Sequence, residues 1–223
     1  MARWLVGTSG YVYRDWRRRF YPQALGADGW LPYYAATFDT VELNSPFYRL
    51  PRAATFRGWA AAVPPHFVFS VKASRFLTHV KRLNEPGSPV TRFLRRARGL
   101  GGALGPVLIQ LPSTFHLRLD RLDGLLRVLS RRAHVRWVLE VRHASWLVDA
   151  VFERLARANV ALCLTDVQVQ PVTGPLTADF VYVRRHGTRP RYVYFNNDGR
   201  AAAVRNARRL AELLRTRAHR RAA

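Results

Sequence analysis

Lysine is nearly absent from this sequence. Lys72 and Lys81 are the only two, so 35 of the 37 basic residues are arginine. Acids are also scarce, 14 in 223 residues, and the formal net charge is +23. A single cysteine, Cys163, excludes a disulfide framework and a cysteine-ligated zinc site. It sits in the apolar run Val160-Ala-Leu-Cys-Leu164, which places it in a core. No apolar run approaches the roughly 20 residues of a membrane span. The apolar part of Met1–Gly7 is too short for a secretory signal, so a cytoplasmic protein without a membrane partner is expected. Repeats and low-complexity linkers are missing, which leaves one domain, residues 1–217, with a basic end at 218–223.

The excess charge invites a nucleic-acid reading. Its distribution does not localise one: residues 1–111 carry +11 and residues 112–223 carry +12. So one-sided a choice of arginine is as consistent with codon bias as with selection for a partner. The hydrophobic fraction of 48% and charged fraction of 23% are those of a globular chain rather than a disordered one.

Short apolar runs alternate with helical patterns. The strands expected are Trp4–Gly7, Thr40–Asn44, Phe67–Lys72, Pro106–Leu111, Trp137–Arg142, Val160–Asp166, Val181–His186 and Tyr192–Asn196. The helices expected are Leu31–Phe38, Ala53–Ala62, Pro89–Leu104, Asp120–Ser130, Leu147–Ala158 and Ala201–Thr216. Ser88 is the expected N-cap of the third. Strands separated by helices pair in parallel through right-handed crossovers. Eight such units predict a (β/α)8, TIM-like barrel. An open doubly wound sheet is the competing arrangement. Two connections are thin: Gln168–Ala178 lacks a helical pattern, and Gly187–Arg191 is too short for a helix.

In a barrel of this kind functional groups gather at the C-terminal ends of the strands. Residues two apart share a face. Glu42 with Asn44, Lys72, Gln110, Glu140 with Arg142, Asp166, Arg184 with His186, and Asn196 then converge on one mouth. Three carboxylates meet three cations there, although acids are few in the chain. Opposite charges in a partly buried site shift one another's pKa values, which is the arrangement acid–base catalysis uses. Glu140, Glu42, Asp166, Lys72 and His186 are the candidate catalytic groups. Ser9, Asn44, Tyr48, Gln110, Arg142, Arg184, Asn196 and Asn197 are the candidate substrate contacts. A fixed ion-pair network that plugs the barrel without chemistry is the competing reading.

No phosphate-loop, dinucleotide or His-Glu-x-x-His motif is present, and no cofactor is expected. A divalent metal held by Glu42, Glu140, Asp166 and His186 is chemically open, but residue types alone do not select it. Gly7-Thr-Ser-Gly-Tyr11 has its second glycine one place early for a nucleophile elbow. A loop offering backbone N–H groups to an anion suits it better. Tyr11–Tyr21 interleaves aromatics with arginines, a composition that suits stacking on bases and contacting phosphates. The plainer reading is an aromatic cluster with solvated arginines.

Taken in order, these motifs resemble those of the YecE-like family, a bacterial and archaeal family defined by a domain of unknown function. They are Gly7-Thr-Ser-Gly-Tyr11, Trp16 with Phe20-Tyr-Pro22, Tyr33-Tyr-Ala35, Phe38-x-Thr-Val-Glu-x-Asn44, Phe47-Tyr48, Phe69-x-x-Lys72, Leu104-Gly-Pro106, Gln110-Leu-Pro112, Glu140-x-Arg142, Ser145-Trp146, Val183-Arg184, His186-Gly187 and Phe195-Asn-Asn197. The resemblance runs from Trp4 to Leu214 and implies a TIM-like barrel, but no reaction. It also implies a helical segment between the His-Gly and Asn-Asn motifs, where this chain has only Thr188–Arg191. The expectation is therefore an enzyme of hydrolase or lyase type, binding a polar, anionic small molecule at the mouth. A nucleic-acid-binding protein or nuclease is the alternative, and a degenerate, non-catalytic barrel the third.

Overall fold

The computed structural model describes residues 4–165, 175–185, 192–195, 204, 205, 207, 208, 210 and 211. Eight parallel strands appear, all at expected places: β1 (Leu5–Ser9), β2 (Thr40–Leu43), β3 (Val68–Lys72), β4 (Leu104–Gln110), β5 (Trp137–Glu140), β6 (Ala161–Thr165), β7 (Tyr182–Arg185) and β8 (Tyr192–Phe195). Each pairs with the next, and β8 pairs with β1, so the order closes on itself. Between them run α1 (Trp30–Ala35), α2 (Ser45–Tyr48), α3 (Ala53–Ala61), α4 (Gly87–Ala97), α5 (Leu119–Ser130) and α6 (Asp149–Arg157). The fold class holds as an α/β protein whose parallel sheet curls in the manner of a TIM barrel. A complete set of eight β–α units is not seen among the described residues. Residues 175–181 carry no helix. The helix expected to be short or missing between β7 and β8 falls on 186–191, outside the described residues, as does the tail 218–223.

The alternation of side chains builds two cores. Val41, Leu43, Phe69, Val71, Val107, Ile109 and Leu139 belong to the main core. To it α4 adds Val90, Phe93, Leu94 and Ala97, and α5 adds Leu122, Leu125, Leu126 and Leu129 at helical spacing. The residues between them on the strands, Leu108, Val138, Ala161 and Cys163, form a second, small apolar cluster with Tyr182. Burial pushes the Cys163 thiol well up from its ordinary pKa, so it is the inert core residue its sequence context implies.

Three local expectations need correction. Ser88 does not cap α4. The helix begins two residues earlier than expected, at Gly87, with Pro86 as N-cap and no side-chain cap bond. α4 also ends at Ala97, and a 3-10 segment Arg98–Ala103 carries the chain into β4, with Gly101 at positive φ. The Gly7–Tyr11 segment does not offer its N–H groups to an anion: the Thr8 amide donates to the Tyr34 hydroxyl at 2.9 Å, and the Gly10 amide to the Glu42 carbonyl at 2.8 Å. In Tyr11–Tyr21 the plainer reading holds. Trp16, Phe20 and Tyr21 are buried, and Tyr21 stacks on Trp30 at 4.8 Å, while Arg14, Arg17, Arg18 and Arg19 face solvent.

Candidate functional site

Parallel register sets the site. Ser9 lies beside Glu42 and Glu42 beside Ser70, while Gln110 lies beside Glu140, near the C-terminal ends of their strands. These positions fall on the face opposite the main core, so polar side chains enter the enclosed space above the small apolar cluster. Tyr182 joins the two layers, its ring in the cluster and its hydroxyl donating to Glu42 Oε2 at 2.6 Å. Ser70 Oγ stands 2.7 Å from the same hydroxyl.

Arg184 is the hub. It is 2% exposed, and it joins two carboxylates that are both at 0%. Its Nη2 donates to Glu42 Oε1 at 3.0 Å, and its Nη1 to Glu140 Oε2 at 2.7 Å. Ser9 Oγ donates to Glu42 Oε1 at 2.5 Å and accepts from Asn44 Nδ2 at 2.7 Å. Arg142 donates through Nε to Glu140 Oε1. Gln110 Oε1 lies 3.4 Å from both guanidiniums. Burying charge is costly, and these ion pairs and hydrogen bonds offset that cost. Burial raises the Glu140 pKa, but Arg184 and Arg142 outweigh it and hold the carboxyl below its ordinary value. Burial also works against Arg184, and Glu42 with Glu140 lift it well above its ordinary value.

Lys72 is placed differently. It ends β3 at 8% exposure, with Nζ 4.0 Å from the centroid of the Phe47 ring. Among the described residues it makes no ion pair. Burial lowers its pKa first and Arg184 second, against the pull of Glu42 and Glu140, and the amine comes to about 8. The array thus holds two carboxylates whose oxygens are all occupied, a buried Arg184 whose Nε alone lacks a hydrogen-bond partner among the described residues, and one amine with a pKa of about 8.

Of the expected site residues, the structure brings Ser9, Glu42, Asn44, Gln110, Glu140, Arg142 and Arg184 together, with Lys72 beside them. Asp166, His186, Asn196 and Asn197 lie outside the described residues. Tyr48 does not reach the array. It stands 71% exposed, its ring edge-on to Phe47, and Phe47 is the ring that meets Lys72. Tyr182, Ser70 and Phe47 were not singled out as site residues. The signal for the first two was present, since each lies two residues before a chosen residue on its strand. No three His, Cys, Asp or Glu side chains gather to hold a metal among the described residues. Glu42 and Glu140 already have their oxygens occupied by guanidinium and hydroxyl donors. Among the described residues no helix is long and apolar enough to cross a membrane.

Comparison with known proteins agrees with the resemblance read from the motifs. A family model described as "Protein of unknown function DUF72" matches residues 5–192. The UPF0759 protein YecE of Escherichia coli (strain K12) is 32% identical over 122 residues, 54% of this chain and 44% of that protein. The UPF0759 protein YunF of Bacillus subtilis (strain 168) is 24% identical over 160 residues, 67% of this chain and 54% of that one. The chain spans about half the length of these curated relatives. Among solved structures, a DUF72 family protein from Thermotoga maritima MSB8 superposes with a TM-score of 0.80 at 25% identity, covering 95% of this chain and 98% of that one. One from Enterococcus faecalis V583 shares the fold, with a TM-score of 0.73 at 17% identity, covering 95% of this chain and 97% of that one. With the model match spanning most of its length, the chain belongs to the DUF72 family of proteins of unknown function.

Proposed function

We propose that the mouth is the active site of an enzyme that binds a polar, anionic small molecule and carries out acid–base chemistry of the hydrolase or lyase type, on a scaffold read as a (β/α)8 barrel with a short seventh unit. One observation carries this reading: a buried amine with a pKa of about 8 makes no ion pair among the described residues, beside the buried Glu42–Arg184–Glu140 ion pairs. A pure plug would place each charge against a partner, whereas Lys72 has none among the described residues. An amine near neutrality both gives and takes a proton at physiological pH. Lys72 is thus the proton carrier. Arg142, the more exposed guanidinium, is the contact for a carboxylate or phosphate. Glu140, held ionised, suits orienting the two arginines better than donating a proton. Asn44 and Gln110 supply amide groups for hydroxyls. The nucleic-acid alternative keeps the exposed arginines in its favour but loses the buried rings of Tyr11–Tyr21 as stacking surfaces.

The test pairs thermal shift with turnover across small hydroxy acids, oxo acids and sugar phosphates. At least one anion is expected to raise the melting temperature, and Lys72→Met to lower turnover by roughly 10²–10⁴-fold while remaining folded. Because the lysine pKa is depressed on folding, the unfolded chain binds more protons between pH 8 and the ordinary lysine range, and Lys72 opposes folding most below pH 8. Lys72→Met is therefore expected to be more stable than the wild type at pH 7, with the gain shrinking toward pH 10. No stabilising anion, or unchanged turnover in the variant, would sink the reading.

A further inference from the structure

Lys72 has chemistry that proton transfer does not exhaust. Its Nζ lies 4.0 Å from the Phe47 centroid, free of any ion pair among the described residues, at the end of β3 where the mouth residues converge. Among the described residues both carboxylates near it are already bound by other donors. Glu42 on β2 is bound by Ser9, Tyr182 and Arg184. Glu140 on β5 is bound by Arg142 and Arg184. Among the described residues no carboxylate is left to pair with Lys72 as an ammonium, and the Arg184 and Arg142 guanidiniums repel that form. His79, edge-on to the same Phe47 ring at 5.0 Å, adds no acid. Lys81 is the contrast: it is more exposed, at 36% of its side chain, and paired with Glu85 at 3.2 Å.

We infer that Lys72 is a nucleophile that forms an imine with an aldehyde or ketone carrying a carboxylate or phosphate. This rests on the mouth being an anion-binding active site and names its substrate class. The Nζ lone pair adds to the carbonyl carbon. The carbonyl oxygen takes up a proton and the nitrogen gives one up, forming a carbinolamine. Expulsion of water leaves the imine, protonated to the iminium, which withdraws electrons from the neighbouring carbon and allows a bond there to break or form. Hydrolysis returns the amine and a carbonyl product, so no oxidant or reductant is needed. Arg142, partly exposed and close enough for its charge to act on Lys72, would bind the acid group. Phe47 supplies an apolar wall that favours loss of water.

The two-lysine composition makes the test internal. The full chain is treated at pH 7 with glyoxylate, the smallest aldehyde bearing a carboxylate, and sodium cyanoborohydride, whose hydride converts the imine to a stable secondary amine. Peptide mapping then compares Lys72 with Lys81. A lysine at about pH 8 holds roughly a hundredfold more free base at neutral pH than one of ordinary pKa. With burial slowing access, Lys72 is expected to be labelled at least about tenfold faster than Lys81. Glycolate, the same acid without the carbonyl, should protect Lys72 and raise the melting temperature. Lys72→Arg should leave Lys81 as the one labelled lysine, beside the α-amino group that reacts in both proteins. Labelling of Lys81 as fast as Lys72 overturns the assignment. If glycolate still raises the melting temperature in that case, the anion-binding reading survives alone; if it does not, both fall.

Discussion

Arg184→Met is expected to lose about 3–5 kcal/mol of stability at neutral pH, the cost of leaving buried charge without its partner. Glu42 and Glu140 are both fully buried, and Arg184 bridges them. Without it Glu42 keeps only the hydroxyl donors of Ser9 and Tyr182, and Glu140 keeps Arg142. The pH dependence should change with it. In the wild type Glu140 is held below its ordinary pKa, so its contribution is complete above the ordinary carboxylate range and is lost as pH falls through the depressed value. In the variant burial dominates and favours the protonated acids. Stability should then fall as pH rises past about 4–5. Urea denaturation at pH 4.5 and pH 7.5 separates the two profiles. Arg184→Lys keeps the charge but not the fork that reaches two carboxylates, and should fall between. A Met variant as stable as the wild type at pH 7.5 would show that the array is not the buried network described.

Gly7→Ala should be about as damaging, by a different cause. A Cβ at Gly7 would stand 2.1 Å from the Thr40 carbonyl oxygen and 2.9 Å from its carbon. The obstacle is backbone, so no rotamer change relieves it, and β1 must move off β2 at the Gly7–Thr40 pairing. A loss of about 3 kcal/mol is expected, at the upper end of overpacking effects. Ser9 and Glu42, two residues further along the same strand pair, should separate as well. Gly124→Ala on α5 is the control, because nothing lies within 4 Å of its added Cβ. It should be neutral or stabilising by up to about 1 kcal/mol. Thermal unfolding of both variants checks the contrast, and equal melting temperatures would remove the close-approach argument.

The strands were legible because alternation is a local property. Glu42 and Glu140 each stand between apolar neighbours, Arg184 follows Val183 and lies two residues after Tyr182, and period two is enough to put the three on a common side. Helices α5 and α6 were legible by their leucine and valine stripes. The role of each charge was not. Glu140-x-Arg142 reads from sequence as a catalytic acid with its orienting partner. Only three-dimensional placement shows that a second guanidinium, from β7, saturates it. Likewise Phe47 and Tyr48 are equivalent aromatic neighbours until the turn of α2 sends one over Lys72 and the other to solvent. Of the connection after β6, the described residues 175–181 carry no helix. Thr177 does part of the work there, its hydroxyl bridging the Leu162 amide at 2.7 Å and the Val160 carbonyl at 2.8 Å.

The Arg184 hub also orders assembly in time. Its partners lie 142 residues away at Glu42, 175 at Ser9 and 44 at Glu140. During synthesis β2 and β5 leave the ribosome long before β7, so two acids destined for full burial wait without their cation. An intermediate closed around them is penalised, and the interior must stay wet or the acids protonated until β7 docks. Such long-range closure is slow. The same contact that fixes the geometry of the mouth thus makes that mouth one of the last parts of the protein to form.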